Sequence, residues 1–141
     1  MHKYEFKVRW GDTDAAGIVF TPNFYKWMDE ATHEYLAELI KPSSRLFQED
    51  KRALPILEAF CQFKKPLRFE EHVVIETTVL EIHNKTFKLK HVFKRGDEIV
   101  AHGYMIRAWT SFSDTPKAEP IPKEVVEKLT LSLEREVVVH E

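Results

Sequence analysis

The stretch from Thr21 to Ile40 constrains this chain more than any other. Phe24, Trp27, Met28, Ala31, Tyr35 and Leu39 recur at helical spacing and form one wide apolar stripe. Thr21 suits a helix N-cap, and Pro22 suits the first helical position, where its missing N–H would be unpaired anyway. Lys41 precedes Pro42, which biases the chain out of helix there. A helix from Pro22 to Ile40 would span roughly 28 Å. Its aromatic face needs a large partner surface.

The flanking segments read as strands. Tyr4, Phe6, Val8 and Trp10 alternate with Glu5, Lys7 and Arg9, the period of a half-buried strand. Gly11 to Thr21 has no clear period and reads as a loop. Ser43 to Lys51 is polar and ambiguous, with a short helix as one reading. Strand-like runs follow at Leu54 to Phe63, Val73 to Ile82, Phe87 to Phe93 and Glu98 to Phe112, with a turn at Gly96-Asp97. The later strands are expected to join by short turns into an antiparallel meander. Val125, Val126 and Leu129 suggest a short C-terminal helix. One long helix against one face of such a sheet is an α+β layer architecture.

A chain of 141 residues fits one domain, here 1–141, and can bury a sizeable core unaided. A net charge of −2 gives no global pull toward nucleic acid or anionic membrane. No run of about 18 apolar residues exists, so membrane insertion is not expected. The N-terminus lacks the apolar core of a signal peptide. The single cysteine, Cys61, excludes an intramolecular disulfide and reads as a buried thiol in a reducing, cytoplasmic setting. Seven histidines include no HExxH pattern or tight His/Cys cluster, so no metal or other cofactor is expected.

The chemistry-bearing stretch is Val8 to Leu36, VRWGDTDAAGIVFTPNFYKWMDEATHEYL. It puts a carboxylate-rich loop directly before a helix. Helix N-termini present unpaired N–H groups and partial positive charge, which can stabilise a developing oxyanion. A carboxylate held nearby can attack a carbonyl or activate water. Together these suit acyl transfer from a thioester. Asp-x-Asp before a helix is also a common Asx turn, and the pattern does not rank Asp12 against Asp14.

The segment GDTDAAGIVFTPNFYKWMDEA resembles the signature of the 4-hydroxybenzoyl-CoA thioesterase family, over about twenty positions with matching spacing. Weaker similarity runs on to about Phe112. The resemblance implies the hotdog fold, a five-stranded antiparallel sheet wrapped around one long central helix. It implies an acyl-CoA thioesterase that needs no cofactor and takes an acyl-CoA substrate. The family's catalytic carboxylate falls on Asp14, as nucleophile or as general base. The amide matching Thr21 polarises the thioester carbonyl, and Gly17 serves a tight turn or a close approach to substrate. Asp29 matches an aspartate that accepts a hydrogen bond from a phenol hydroxyl; on a helical wheel alone it is a boundary acid facing solvent or a neighbour. This favours a hydroxylated aryl acyl group, with a short- or medium-chain aliphatic one as the alternative. A subgroup found beside the Tol–Pal envelope system has glutamate at the position of Asp29 and histidine at that of Thr21.

Coenzyme A phosphates need cations. Lys64, Lys65 and Arg68 form one basic cluster, and by resemblance Lys85 and Thr86 lie in a turn near the nucleotide. Subunits of the family pair so that their sheets join, giving a dimer of dimers with sites at the shared interface. The rivals are a dehydratase, which would want a histidine in the loop where none lies between His2 and His33, and a non-catalytic acyl-binding protein.

Overall fold

The computed structural model describes residues 1–133. In chain order the elements are β1 (His2–Lys7), a 3-10 turn (Trp10–Asp12), α1 (Pro22–Leu39), α2 (Ser43–Asp50), β2 (Arg52–Ala53) and β3 (Ile56–Phe63). β4 (His72–Ile82), β5 (Thr86–Arg95), β6 (Glu98–Ala108), β7 (Thr110–Ser111), β8 (Lys117–Ala118) and α3 (Lys123–Leu131) follow. β1 and β3–β6 form a five-stranded sheet in the order β1-β4-β5-β6-β3, with every neighbouring pair antiparallel. β2, β7 and β8 form a small second sheet.

The α+β expectation and the five-stranded sheet around a long helix are borne out. The simple meander is not. Only β4, β5 and β6 are consecutive neighbours. β3 crosses to the far edge beside β6, while β1 takes the other edge beside β4. The crossing segment from β3 to β4 is held by Lys64 and Lys65 amides on Val100 O, by Val19 N–H on Leu67 O, and by Glu70 N–H on Val8 O. Its Leu67 is fully buried. A segment pinned at both sheet edges cannot fold back as a hairpin.

The expected last strand, Glu98 to Phe112, also breaks. Past Ala108 the Trp109 N–H donates to Lys85 O at 2.8 Å, and Trp109 O accepts from Glu119 N–H. Trp109 is buried with Ile121, Val125 and Leu129 in a satellite core. Leaving the main sheet there lets the indole fill that core. The expected first strand ends early as well: Trp10 is 74% exposed and stacks edge-on against Phe69.

The sheet curves over α1 in two apolar halves. Phe24, Trp27, Met28 and Ala31 pack with Val73, Ile75, Phe93, Val100, Ala101 and Met105. Tyr35 and Leu36 pack with Val79, Phe87, Leu89 and the satellite residues. Between the halves lies a buried polar layer. Thr77 Oγ1 and His91 Nδ1 are 2.8 Å apart, and Thr32 Oγ1 stands 3.3 Å from His91 Nε2. Burial, followed by the nearby Arg107 charge, pushes His91 down to about 3, so the ring is neutral. Cys61 is buried as expected, and burial pushes its thiol up to about 12.

Candidate active site

The loop before α1 is built on backbone hydrogen bonds to its own carboxylates and carbonyls. Arg9 N–H donates to Asp12 Oδ2 at 2.8 Å. The Asp12 carbonyl accepts both Phe20 N–H and Asn23 Nδ2, each at 2.9 Å, and so ties the loop to the start of the helix. The Asp12 main chain thereby scaffolds the loop. Asp14 is exposed, and its Oδ1 accepts Ala16 N–H at 2.8 Å. Gly17 N–H closes the turn on Asp14 O at 2.9 Å, with Gly17 at φ +79, where a side chain would be strained. This is the Asx turn that the sequence allows. It also fixes the carboxylate in orientation.

Asp14 lines an open cleft of about 530 Å³ with Trp10, Gly11, Thr13, Ala15, Gly17 and Phe69. Thr21 belongs to a second depression, of about 240 Å³, with Ile18, Val19, Phe24, Phe63, Lys64 and Leu67 among its walls. Asp14 and Gly17 therefore share one concavity, and Thr21 opens onto another. Thr21 takes the N-cap position of α1, as expected, but its side chain makes no capping hydrogen bond. Its backbone is already helical (φ −46, ψ −45), and the first turn is opened by Asn23 N–H on Phe20 O. The capping function passes to the loop itself.

Thr21, Tyr25, Asp29 and His33 follow one another at i, i+4 spacing, so they form a single stripe down α1. Tyr25 lies against Phe63 of β3, with ring centroids 6.3 Å apart. Asp29 is half exposed, and one of its two carboxylate oxygens is engaged. Arg107 of β6 donates from Nη2 to Asp29 Oδ1, and His33 Nε2 stands 3.3 Å from the same oxygen. The hydrogen bond from His33 and then that from Arg107 hold the Asp29 carboxyl well below the usual carboxylate range, against the cost of burial. Sequence reasoning missed Arg107, because a lone arginine in a strand carries no local signal and its partner is 78 positions away.

Lys85 and Thr86 form the β4–β5 turn, where His83 N–H donates to Thr86 O at 2.8 Å. β4 begins next to the Asp14 loop, since His72 pairs with Lys7, and runs eleven residues to that turn. At about 3.3 Å per residue the two ends lie on the order of 35 Å apart, so one chain does not bring Lys85 and Thr86 to Asp14. In the other basic cluster, Lys65 pairs with Glu98, while Lys64 lines the Thr21 depression.

Residues 8–129 match the family described as the thioesterase-like superfamily. The chain belongs to that superfamily. Its fold is the hotdog, and it is a thioesterase. A solved gentisyl-coenzyme A thioesterase is 47% identical, with a TM-score of 0.82, over 91% of this chain and 98% of that one. The 4-hydroxybenzoyl-CoA thioesterase of Pseudomonas sp. strain CBS-3 superposes at TM-score 0.82 with 25% identity, over 89% of this chain and 96% of that one. A 1,4-dihydroxy-2-naphthoyl-CoA hydrolase of Prochlorococcus marinus (strain MIT 9211) is 33% identical over 101 residues, 67% of each protein. No helix among the described residues is long and apolar enough to cross a membrane.

Proposed function

We propose that this superfamily member hydrolyses the thioester of a hydroxylated aryl-coenzyme A, with Asp14 as its catalytic carboxylate. The observation that carries the reading is the held carboxylate: Asp14 is fixed by the Ala16 amide in a cleft walled by Trp10 and Phe69. The acyl groups in the names of the three relatives above are all aryl groups with a ring hydroxyl.

As nucleophile, the Asp14 oxygen bonds to the acyl carbon while the C–S bond breaks and coenzyme A leaves as a thiolate; water then cleaves the anhydride. As general base, Asp14 takes a proton from the water that attacks instead. Either route ends in free acid and coenzyme A thiol. The Thr21 N–H at the start of α1, ahead of Pro22, which has none, is suited to the oxygen that gains charge in the transition state. One further α1 stripe residue, Asp29, suits a ring hydroxyl. Eight residues from Thr21 to Asp29 rise about 12 Å, a length that one aryl ring fills with a hydrogen bond of ~2.8 Å at each end.

The same reading includes a second copy of the chain. β3 is an edge strand whose Ile56, Leu57, Phe60 and Phe63 are 42–60% exposed, an edge that natural proteins rarely leave bare. Pairing β3 with its counterpart would join two sheets and cover the α1 stripe. A partner's Lys85-Thr86 turn is then a candidate for the coenzyme A phosphates, which one chain cannot supply near Asp14. A panel of coenzyme A thioesters read by free-thiol release tests the function. Hydroxybenzoyl-, gentisyl- and dihydroxynaphthoyl-CoA should be cleaved in preference to butyryl- and hexanoyl-CoA. Release from the aliphatic esters alone would overturn the aryl assignment.

A further inference from the structure

The α1 stripe ends in an arrangement that stability alone does not call for. The Arg107 side chain is 2% exposed, whereas the Asp29 side chain it holds is 41% exposed. Burying a guanidinium is costly, and a counterion that is itself half in water returns little of that cost. An apolar residue at 107 would pack between Met105 and Trp109 without it. Arg107 is instead anchored by Nη1 on Leu54 O at 2.9 Å, leaving Nη2 for Asp29. Arg107 Nε is buried with no hydrogen-bond partner among the described residues. The guanidinium is thus fixed by the main chain and aimed at one oxygen of a half-open carboxylate.

We infer that Arg107 is a positioning residue for the acyl group: it locks Asp29 by Oδ1 as an ionised, oriented acceptor, so that this end of the α1 stripe accepts a ring hydroxyl and disfavours rings without one. This rests on the aryl-thioesterase reading and names the device that selects within it. An acid whose one oxygen is taken by a permanent cation stays an acceptor and cannot donate. It welcomes a phenol O–H, gains nothing from an unsubstituted ring, and repels a phenolate. An unfilled acceptor that must be desolvated by a bare ring penalises that substrate.

The groups that face Asp29 are Arg107 from β6, His33 from its own helix and, at longer range, neutral His91 from β5. His33 is half exposed and turned by Ser43, whose Oγ is 2.6 Å from His33 Nδ1, so water screens its contribution. Arg107 carries the permanent, dry charge.

The test compares 4-hydroxybenzoyl-CoA with benzoyl-CoA on wild-type protein, Arg107→Met and Arg107→Lys. In Arg107→Met the ratio of the two kcat/KM values should fall about tenfold, chiefly through KM for the hydroxylated ester. Arg107→Lys should recover part of that ratio. The acid limb of the hydroxylated substrate's KM should move to higher pH in Arg107→Met, because the carboxyl loses a cation. Equal losses on both esters, with no movement of the limb, would mean that Arg107 only supports the fold. Should Arg107→Met not fold, the wild type still decides. Its hydroxy-to-bare preference should stay flat from pH 7 down to about 4.5, and a preference that fades across that range overturns the lock. A wild type that cleaves no aryl ester sinks the function first, and this inference with it. Cleavage of both esters with an unchanged ratio in Arg107→Met sinks the inference alone.

Discussion

The Asp14 carboxylate accepts the Ala16 N–H at 2.8 Å, two residues along its own loop. That contact uses an acceptor oxygen, which asparagine also has. Asp14→Asn therefore keeps the turn while removing the charge proposed to attack or deprotonate. Thioester turnover should fall at least 10²-fold, with the urea midpoint and circular dichroism unchanged. Near-wild-type turnover in this variant would remove Asp14 from the chemistry.

Asp29→Ala takes away the acceptor at the far end of the α1 stripe. It also strands the buried Arg107 charge, so two effects must be separated. Stability should drop by about 1 kcal/mol, because the buried guanidinium loses a counterion that water already screens. Catalytic loss should be larger on hydroxybenzoyl-CoA than on benzoyl-CoA. Identical losses on the two esters at a temperature where the variant is folded would argue that Asp29 serves stability only.

Much of this molecule was legible from residue pattern. The 3.6-residue stripe from Phe24 to Leu39 marks α1 because no other element buries that spacing. The alternation at Phe87, Leu89, His91 and Phe93 marked the core face of β5, and all four are buried. What escaped were relations between distant segments. Edge placement of β3 depends on hydrogen bonds from the Lys64–Glu70 crossing to β6 and Val8, which no local period encodes. Thr21 has a good capping side chain, yet the Asp12 carbonyl and Asn23 settle the helix entry first. Asp14 stands out by resemblance alone: the Asp12 carboxylate accepts the Arg9 amide and the Asp14 carboxylate the Ala16 amide, each at 2.8 Å, so local geometry does not rank the two.

His91 makes stability depend on pH. Its folded pKa of about 3 lies below the ordinary histidine value of 6.5, so the unfolded chain binds the extra proton between those limits. Stability is therefore unaffected above roughly pH 6.5 and is lost as pH falls toward 3, by about 1.4 kcal/mol per unit once the unfolded histidine is charged. His91→Gln keeps a polar group facing Thr77 and removes the titration. Urea melts from pH 7 to 4 should show a shallower decline in the variant. Parallel curves would mean that His91 is not the group responsible.

Gly103 of β6 pairs with Cys61 of β3 and leaves no room for a side chain. A Cβ there would stand 2.1 Å from Phe60 O and 3.0 Å from Cys61 Cα, both backbone atoms that cannot swing aside. Gly103→Ala should cost about 3 kcal/mol by overpacking, seen as a fall in the urea midpoint at constant slope. It should also loosen β3, and hence any assembly through that strand. A midpoint within experimental error of wild type would show that the strands separate at little cost.

Assembly through β3 carries its own test. Ala59 lies near the middle of β3 and is exposed, although it pairs across the ladder with buried Met105 on the same face of the sheet. In a twofold antiparallel pairing, the central residues of an edge strand meet their own counterparts. Ala59→Lys would then set like charges against each other at the axis, which is destabilising in a cross-strand pair. Light scattering should report a dimer or larger species for the wild-type chain and a smaller mass for the variant. Turnover should fall together with the mass if, as proposed, a partner's Lys85-Thr86 turn serves the Asp14 cleft. A fully active monomer would refute both the pairing and the part proposed for that turn.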